Sequence, residues 1–455
     1  MTRVRFWKWL YPGMGVKRWL LVIGAGVVLT SVGLTWIIDI EVLGALERSA
    51  LGWLGRLLGW LPLWIAPAVG LTLGVSGLTL IGFGLRGMIR SLLEAAVPGR
   101  VENLADVVYN SQHLRKGPKV VVVGGGTGLS TMLRGLKEWT SNITAIVTMA
   151  DDGGSSGRLR EEMGVLPPGD IRNTLVALAD TETLMEKLFQ YRFETGDGLK
   201  GHSFGNLFIA AMTEITGDFE QAVRESSKVL AVRGRVLPST LDSVTLNAEY
   251  EDGGTASGES RIPQPGRRIR RVFLTPTDPK PLDDALRALR EADVIVLGPG
   301  SLYTSVLPNL LVPGISETIR RSRAVRIYVC NVMTQPGETD GYKASDHVRA
   351  LIEHAGEGLV DYALIHRGRV SPALEEKYRR IGQRPVPADV RAVRSLGVEP
   401  VTRSMVSESD LVRHDAALLT VAIEDLWQAH RARDGRPGGL WLARLFPAAT
   451  RRGGL

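Results

Sequence analysis

Hydrophobic positions are distributed along this chain in two different ways. Near the start they come in long uncharged runs. Trp19 to Ile38 is 20 residues without a charge between Arg18 and Asp39, and Leu57 to Leu85 is 29 more between Arg56 and Arg86. An α-helix rises about 1.5 Å per residue, so roughly 20 apolar residues cross a hydrocarbon core of about 30 Å. The runs therefore predict two transmembrane helices, 19–38 and 57–85, the second starting near Pro62 or Pro67. Trp19 and Trp36 stand at the two ends of the first run, where interfacial anchors sit. A second run follows the first, and no small-residue cleavage site follows Ile38, which argues against a signal peptide. The uncharged lengths argue against a buried helical hairpin.

The flanks predict an orientation. Arg3, Arg5, Lys8, Lys17 and Arg18 precede the first run with no acid among them, and Arg86, Arg90 and Arg100 follow the second. The loop between them mixes Asp39, Glu41 and Glu47 with Arg48 and Arg56. The positive-inside rule places both termini and the main domain on the cytoplasmic side of a two-pass anchor in the cytoplasmic membrane. Residues 1–18 are then a basic cytoplasmic N-terminus. Residues 86–116 are a juxtamembrane linker, whose LRGMIRSLLEAAV stretch reads either as a helix on the membrane surface or as an ordinary amphipathic helix.

Beyond Lys116 the pattern changes to short β-branched runs, each ending in glycine-bearing polar residues. VVVV at 120–123, ITAIVTM at 143–149, ADVIVLG at 292–298, RIYVCNV at 326–332 and LVDYALI at 359–365 are strand candidates. Continuous apolar runs suit a parallel sheet buried on both faces. Helical periodicity between them, as in LSTMLRGLKEW and DHVRALIEHAG, predicts an open, mainly parallel α/β domain over 117–430, Rossmann-like, with ligands at the carboxyl ends of the strands. TLNAEYEDGGTASGESRI alternates around a Gly-Gly turn and predicts a β-hairpin excursion. The basic, Gly-rich segment 431–455 is expected to be a mobile tail.

Composition adds three constraints. The chain has 455 residues, enough for two or three units. Cys330 is the single cysteine, which excludes an internal disulfide framework and fits a reducing cytosol. The net charge of +7 suits phosphorylated ligands or anionic lipid. No aromatic platform interleaved with basic residues is visible, so nucleic acid is not expected as a partner.

The chemistry lies in the turns. In VVVVGGGTGLS, Gly124, Gly125, Gly126 and Gly128 let backbone N–H groups approach an anion at a helix N-terminus, with Thr127 adding a hydroxyl. The spacing is not that of a dinucleotide fingerprint: counted from Gly124 or Gly126, the third glycine position holds Leu129 or Thr131, which weakens an NAD-dependent oxidoreductase reading. In MADDGGSSGRLR, Asp151 and Asp152 suit a ribose hydroxyl or Mg²⁺, and Ser155, Ser156 and Arg158 suit phosphate. In PPGDIRNTL, Asp170 is placed as a helix N-cap, with Arg172 and Asn173 in the first turn. In GHSFGN, His202 and Asn206 share a face if their helix begins early, and no second His or Cys stands at zinc spacing. GPGSLYTS makes a phosphate-sized nest with Ser301 and Thr304 as donors, while Tyr303 either stacks on a base or fills core. In RHD, Arg413 pairs with Asp415 or reaches a phosphate.

Taken together and in this order, these loops resemble those of the gluconeogenesis factor family (YvcK-like), related to 2-phospho-L-lactate transferase (CofD-like). The likeness runs from about Pro118 to Ala429 and includes NVMTQPGETDGY. It implies a CofD-like, Rossmann-like domain that binds UDP-sugars such as UDP-N-acetylglucosamine through the loop residues above. It also implies a regulatory role in cell shape and envelope synthesis under gluconeogenic growth, through an envelope-synthesis protein partner. By the same analogy Tyr378, in EKYRR, and Arg413 contact the nucleotide sugar. A homodimer is a further expectation. The family's RHD is often followed by a hydroxyl residue, and Ala416 stands there in this chain. Typical members lack the two N-terminal spans. The alternative is a Mg²⁺-dependent transferase, with Asp151 as the metal ligand.

Overall fold

The computed structural model describes residues 16–38, 65–96, 114–180, 183–368, 372–408 and 412–433. The chain divides into two compact units, Met1–Asn110 and Ser111–Leu455. Residues 1–15 of the predicted N-terminus, the inter-helix loop up to 64 and residues 434–455 of the tail lie outside the described residues, as does most of the linker.

The first unit holds two helices, α1 (Val16–Ile38) and α2 (Ile65–Ala96). Both are long and apolar enough to cross a membrane by length and composition. Pro67 falls in the first turn of α2, where its missing N–H breaks no helical bond. The helix then runs unbroken past Arg86 and Arg90 to Ala96, so the basic stretch expected as a separate juxtamembrane helix continues the span. Glycines set how closely the helices approach. A Cβ on Gly33 would lie 2.5 Å from the Gly70 carbonyl oxygen, and one on Gly26 2.7 Å from that of Gly77. Backbones meet this closely where small residues line a helix interface. The hydroxyls of Thr30, Thr72 and Thr79 donate to carbonyls of their own helices, so they stay satisfied without water. Leu21, Val28, Leu71, Leu78 and Phe83 are exposed, which is not the pattern of a soluble core hairpin.

The second unit is an α/β layer structure. Its strands are β1 (Val120–Gly124), β2 (Ile143–Val147), β3 (Arg235–Pro238), β4 (Thr245–Tyr250), β5 (Thr255–Ser257), β6 (Ile269–Thr275), β7 (Val294–Leu297), β8 (Val325–Val329), β9 (Tyr362–His366), β10 (Glu399–Arg403), β11 (Val406–Glu408) and β12 (Val412–His414). Seven of them form one parallel sheet in the order β10-β9-β8-β7-β1-β2-β3. The predicted strands are all in it, and every residue of β1, β2 and β7 is buried, as helices on both faces require. The chain builds outward from β1 through β2 to β3, then returns to β7 on the other side of β1. The order therefore reverses between β1 and β7, and a crevice opens outside the carboxyl ends at such a point.

The expected hairpin is present as β4 and β5, turning through Gly253 at φ +83°. A third strand, β6, completes this small antiparallel sheet. Its IRRVFLT sequence hides the strand because Arg270 and Arg271 both pair with Glu249 across it. Four helices matter for the site: α3 (Gly126–Leu136), α4 (Gly154–Met163), α5 (Gly169–Leu178) and α7 (Phe204–Thr216), with α6 (Thr183–Gln190) between the last two.

Candidate functional site

The glycine run turns the chain from β1 into α3, and its members do different things. Gly126 sits at φ +71°, the left-handed region that favours glycine. Gly125 packs against the Asp170 carboxylate so closely that a Cβ would collide with it. A Cβ on Gly128 would lie 2.8 Å from the Pro299 carbonyl oxygen. The sequence is thus read by backbone conformation at one position and by close approach at two others. Gly124 ends β1 inside the core and does not reach the cleft.

Gly126, Thr127 and Gly128 form one wall of a cleft of about 340 Å³, within the range of small-molecule sites. The opposite wall is the loop after β7, Pro299 to Ser301. Asn331 and Gln335, which follow β8, hold that loop. Asn331 Nδ2 donates to the Gly300 carbonyl at 2.7 Å, and Gln335 Nε2 donates to Ser301 Oγ at 2.6 Å. Tyr378, Gln383 and His414 close the third side. Tyr378 is buried with Val332 and Met333, while burial pushes His414 down to about 4, which keeps its ring neutral at physiological pH. The backbone of Arg413 is in β12, and its side chain lies outside the described residues. Asn331, Gln335, Gln383 and His414 were not singled out from the sequence, although the first two and His414 lie inside stretches quoted above and Gln383 falls three residues after EKYRR.

Behind the glycine loop lies a second, acidic lobe. Asp170 is in the first turn of α5, but Pro168 is the N-cap and Asp170 does not cap the helix, contrary to the sequence expectation. Its carboxyl faces Gly125 and accepts from the Gly126 N–H, while burial and then Asp151 raise it to about 7. Asp151 is itself raised by burial, against hydrogen bonds from the Gly153 N–H and Ser156. Two further acids belong to this lobe and were missed. Glu259, after β5, is raised to about 8 by burial and then by Asp151, Asp170 and Glu338. Glu338 is raised to about 7 by burial, and its Oε1 accepts from the Thr304 hydroxyl at 3.2 Å. Four carboxyls sharing one poorly solvated space cannot all ionise without cost.

Polar side chains rim this lobe. Ser155 Oγ is 3.0 Å from His202 Nδ1 and accepts from Asn206 Nδ2 at 3.1 Å. The helix carrying Asn206 begins at Phe204 with Ser203 as N-cap, so His202 precedes it. The two meet at Ser155 rather than along one helix face. Burial and then Arg158 lower His202, leaving it neutral. Ser156 Oγ accepts from the Gly169 N–H at 3.1 Å. Arg172 donates to Ser203 Oγ and, at 2.8 Å, to Asn173 Oδ1, with its Nε buried and unpartnered.

Other expected residues are engaged elsewhere. Arg158 donates to the Lys200 carbonyl, and Asp152 accepts from the Ser260 N–H, which ties down the turn carrying Glu259. Tyr303 is 2% exposed with its hydroxyl 2.8 Å from that of Tyr342, so it fills core, the second of its two alternatives. Thr304 is buried against Glu338. Among the described residues no group of three or more His, Cys, Asp or Glu is placed to hold a metal ion.

Comparison with known proteins matches these features to a family. The model of the 2-phospho-L-lactate transferase CofD family matches residues 120–406. A gluconeogenesis factor of Halalkalibacterium halodurans is 57% identical over 68% of this chain and 96% of its own length. A Nostoc sp. relative is 51% identical over 417 residues, 91% of each chain. That match is longer than the whole of Ser111–Leu455, so it includes part of the N-terminal unit, and the extension is shared by some relatives rather than peculiar to this chain. A crystal structure of a Bacillus halodurans protein superposes with a TM-score of 0.67 at 57% identity, covering 68% of this chain and all of that one. This chain belongs to the CofD family and, within it, to the gluconeogenesis factors.

Proposed function

We propose that the protein is a membrane-anchored regulator that binds a UDP-sugar, of the UDP-N-acetylglucosamine type, and reports it to envelope synthesis and cell shape under gluconeogenic growth. The observation that carries this reading is the cleft at the β1/β7 switch point. Its glycine wall offers backbone N–H groups at the N-terminus of α3, where an anionic diphosphate is favoured. Gln383 supplies an amide group of the kind that reads a base edge, while Asn331 and Gln335 hold the wall it faces. Ser155, His202, Asn206 and Arg172, in the adjoining lobe, suit sugar hydroxyls and phosphate. The apolar helices α1 and α2 would hold this domain at the cytoplasmic membrane, with both termini inside. Isothermal titration of the full-length protein in detergent with UDP-N-acetylglucosamine tests the ligand. A saturable heat of one site per chain is expected; no heat and no thermal shift at millimolar ligand would sink it.

The second reading is a Mg²⁺-dependent transfer of a phospholactate-type group, favoured by the acidic lobe. Mg²⁺ takes one or two carboxylates and completes its shell with water and substrate phosphates. Asp151 and Asp170 fit that partial role, but the described residues do not build a full cage. Incubation with nucleotide-activated phospholactate, a deazaflavin acceptor and Mg²⁺, followed by mass spectrometry, separates the two. Product formation favours the transferase; binding of UDP-sugar without turnover favours the regulator.

A further inference from the structure

The end of the helical pair where α1 begins and α2 passes Arg86 carries a cavity of about 320 Å³ that the nucleotide reading leaves unused. Arg18, Arg86 and Arg90 line it. Its floor is Trp19, whose ring lies directly on the backbone of α2 because Gly87 has no Cβ. Phe83 meets that ring edge-on at 5.5 Å, and Arg18 stacks over it at 5.1 Å. Trp19 Nε1 is buried without a hydrogen-bond partner. The first turn of α1 holds no acid. Lys17 and Arg18 there add positive charge to the positive end of a helix dipole, an unfavourable arrangement unless an anion offsets it.

We infer that this cavity binds a phosphoryl anion, the headgroup of an anionic phospholipid. The chemistry is a phosphate between guanidinium groups, and the membrane is its source because Phe83, which lines the cavity, is one of the exposed apolar side chains of α2. The inference rests on the reading of α1 and α2 as membrane spans.

The test uses the full-length protein in a neutral detergent, titrated with phosphatidylglycerol, with phosphatidylcholine and with inorganic phosphate, and read by native mass spectrometry. One phosphatidylglycerol per chain should be retained in preference to phosphatidylcholine. The Arg18→Gln, Arg86→Gln, Arg90→Gln triple variant should bind it on the order of 100-fold more weakly, from three basic side chains near a headgroup. The corresponding triple Lys variant should retain most of the affinity, which separates lost charge from misfolding. Equal binding of the two lipids, or a Gln variant that binds like the unmodified protein, overturns the inference. Displacement by millimolar inorganic phosphate would reassign the cavity to a free anion and overturn the lipid. Alkaline-wash fractionation of membranes separates the two levels: a protein that stays in the membrane without lipid preference sinks this inference alone, and one that washes off sinks the membrane reading and this inference together.

Discussion

At the scale of single residues, the glycine loop and the acids behind it make separate demands. Gly126 at φ +71° tolerates a β-branched side chain only with strain of about 1–3 kcal/mol, a cost of backbone conformation rather than of space, since a Cβ there would meet only Ser305 Oγ at 3.6 Å. Gly126→Val should weaken UDP-N-acetylglucosamine binding at least tenfold by calorimetry while membrane partition stays unchanged; an unaltered Kd would remove the loop from the site. The acids predict a pH dependence. Asp170, Glu338 and Glu259 are raised to about 7, 7 and 8, above their unfolded values near 4. A raised carboxyl contributes stability that is complete below its unfolded pKa and is lost as pH rises through its folded pKa. The melting temperature should therefore fall between about pH 4 and 8, and Glu259→Gln should flatten that fall. An identical slope in the variant would show that Glu259 does not share this space.

Among the elements, α7 shows how a cap can also position a site. Ser203 Oγ accepts from the Asn206 N–H at 3.3 Å and from Arg172, and Asn206 in turn holds Ser155. Ser203→Ala should cost about 1 kcal/mol as a lost N-cap, seen as a lower urea midpoint with an unchanged slope. It should also release Arg172 and so weaken ligand binding more than a loss of stability alone predicts. A variant with lowered midpoint and unchanged affinity would confine Ser203 to capping. Five of the seven strands of the parallel sheet were readable because a strand buried on both faces must be continuously apolar, as in VVVV and VIVL, while the edge strands β3 and β10 carry polar residues and were not predicted. β6 was not, because its exposed arginines interrupt the alternation that would mark it.

For the whole molecule, the proposed function assigns the two units separable tasks. The Bacillus halodurans structure matches this chain over all of its own length but only 68% of this one, so the α/β unit has free-standing counterparts. Removing residues 1–110 should release the protein from membranes and leave its UDP-N-acetylglucosamine affinity within about twofold. A truncated protein that folds, by circular dichroism, but no longer binds would show that the helices take part in the ligand site.

The sequence by itself determined the elements whose causes are local. These are the uncharged runs of α1 and α2, the apolar strands of the parallel sheet, the glycine turn after β1, and the Gly-Gly hairpin. Each is written in the periodicity or backbone freedom of neighbouring residues. What only the tertiary structure decided is which distant residues share a space. PPGD looks locally like a helix cap, yet Asp170 is turned toward Gly125, because α5 packs beside the glycine loop. Glu259 sits in a segment read only as a hairpin, and Glu338 in a motif where nothing local singles it out; both join the acidic lobe only through the crossovers that bring the ends of β1, β5 and β8 together. Tyr303, in a motif full of candidate donors, is taken into the core by Tyr342. Burial, not residue type, separates the side chains that can meet a ligand from those that hold the walls, and burial is a property of the folded chain.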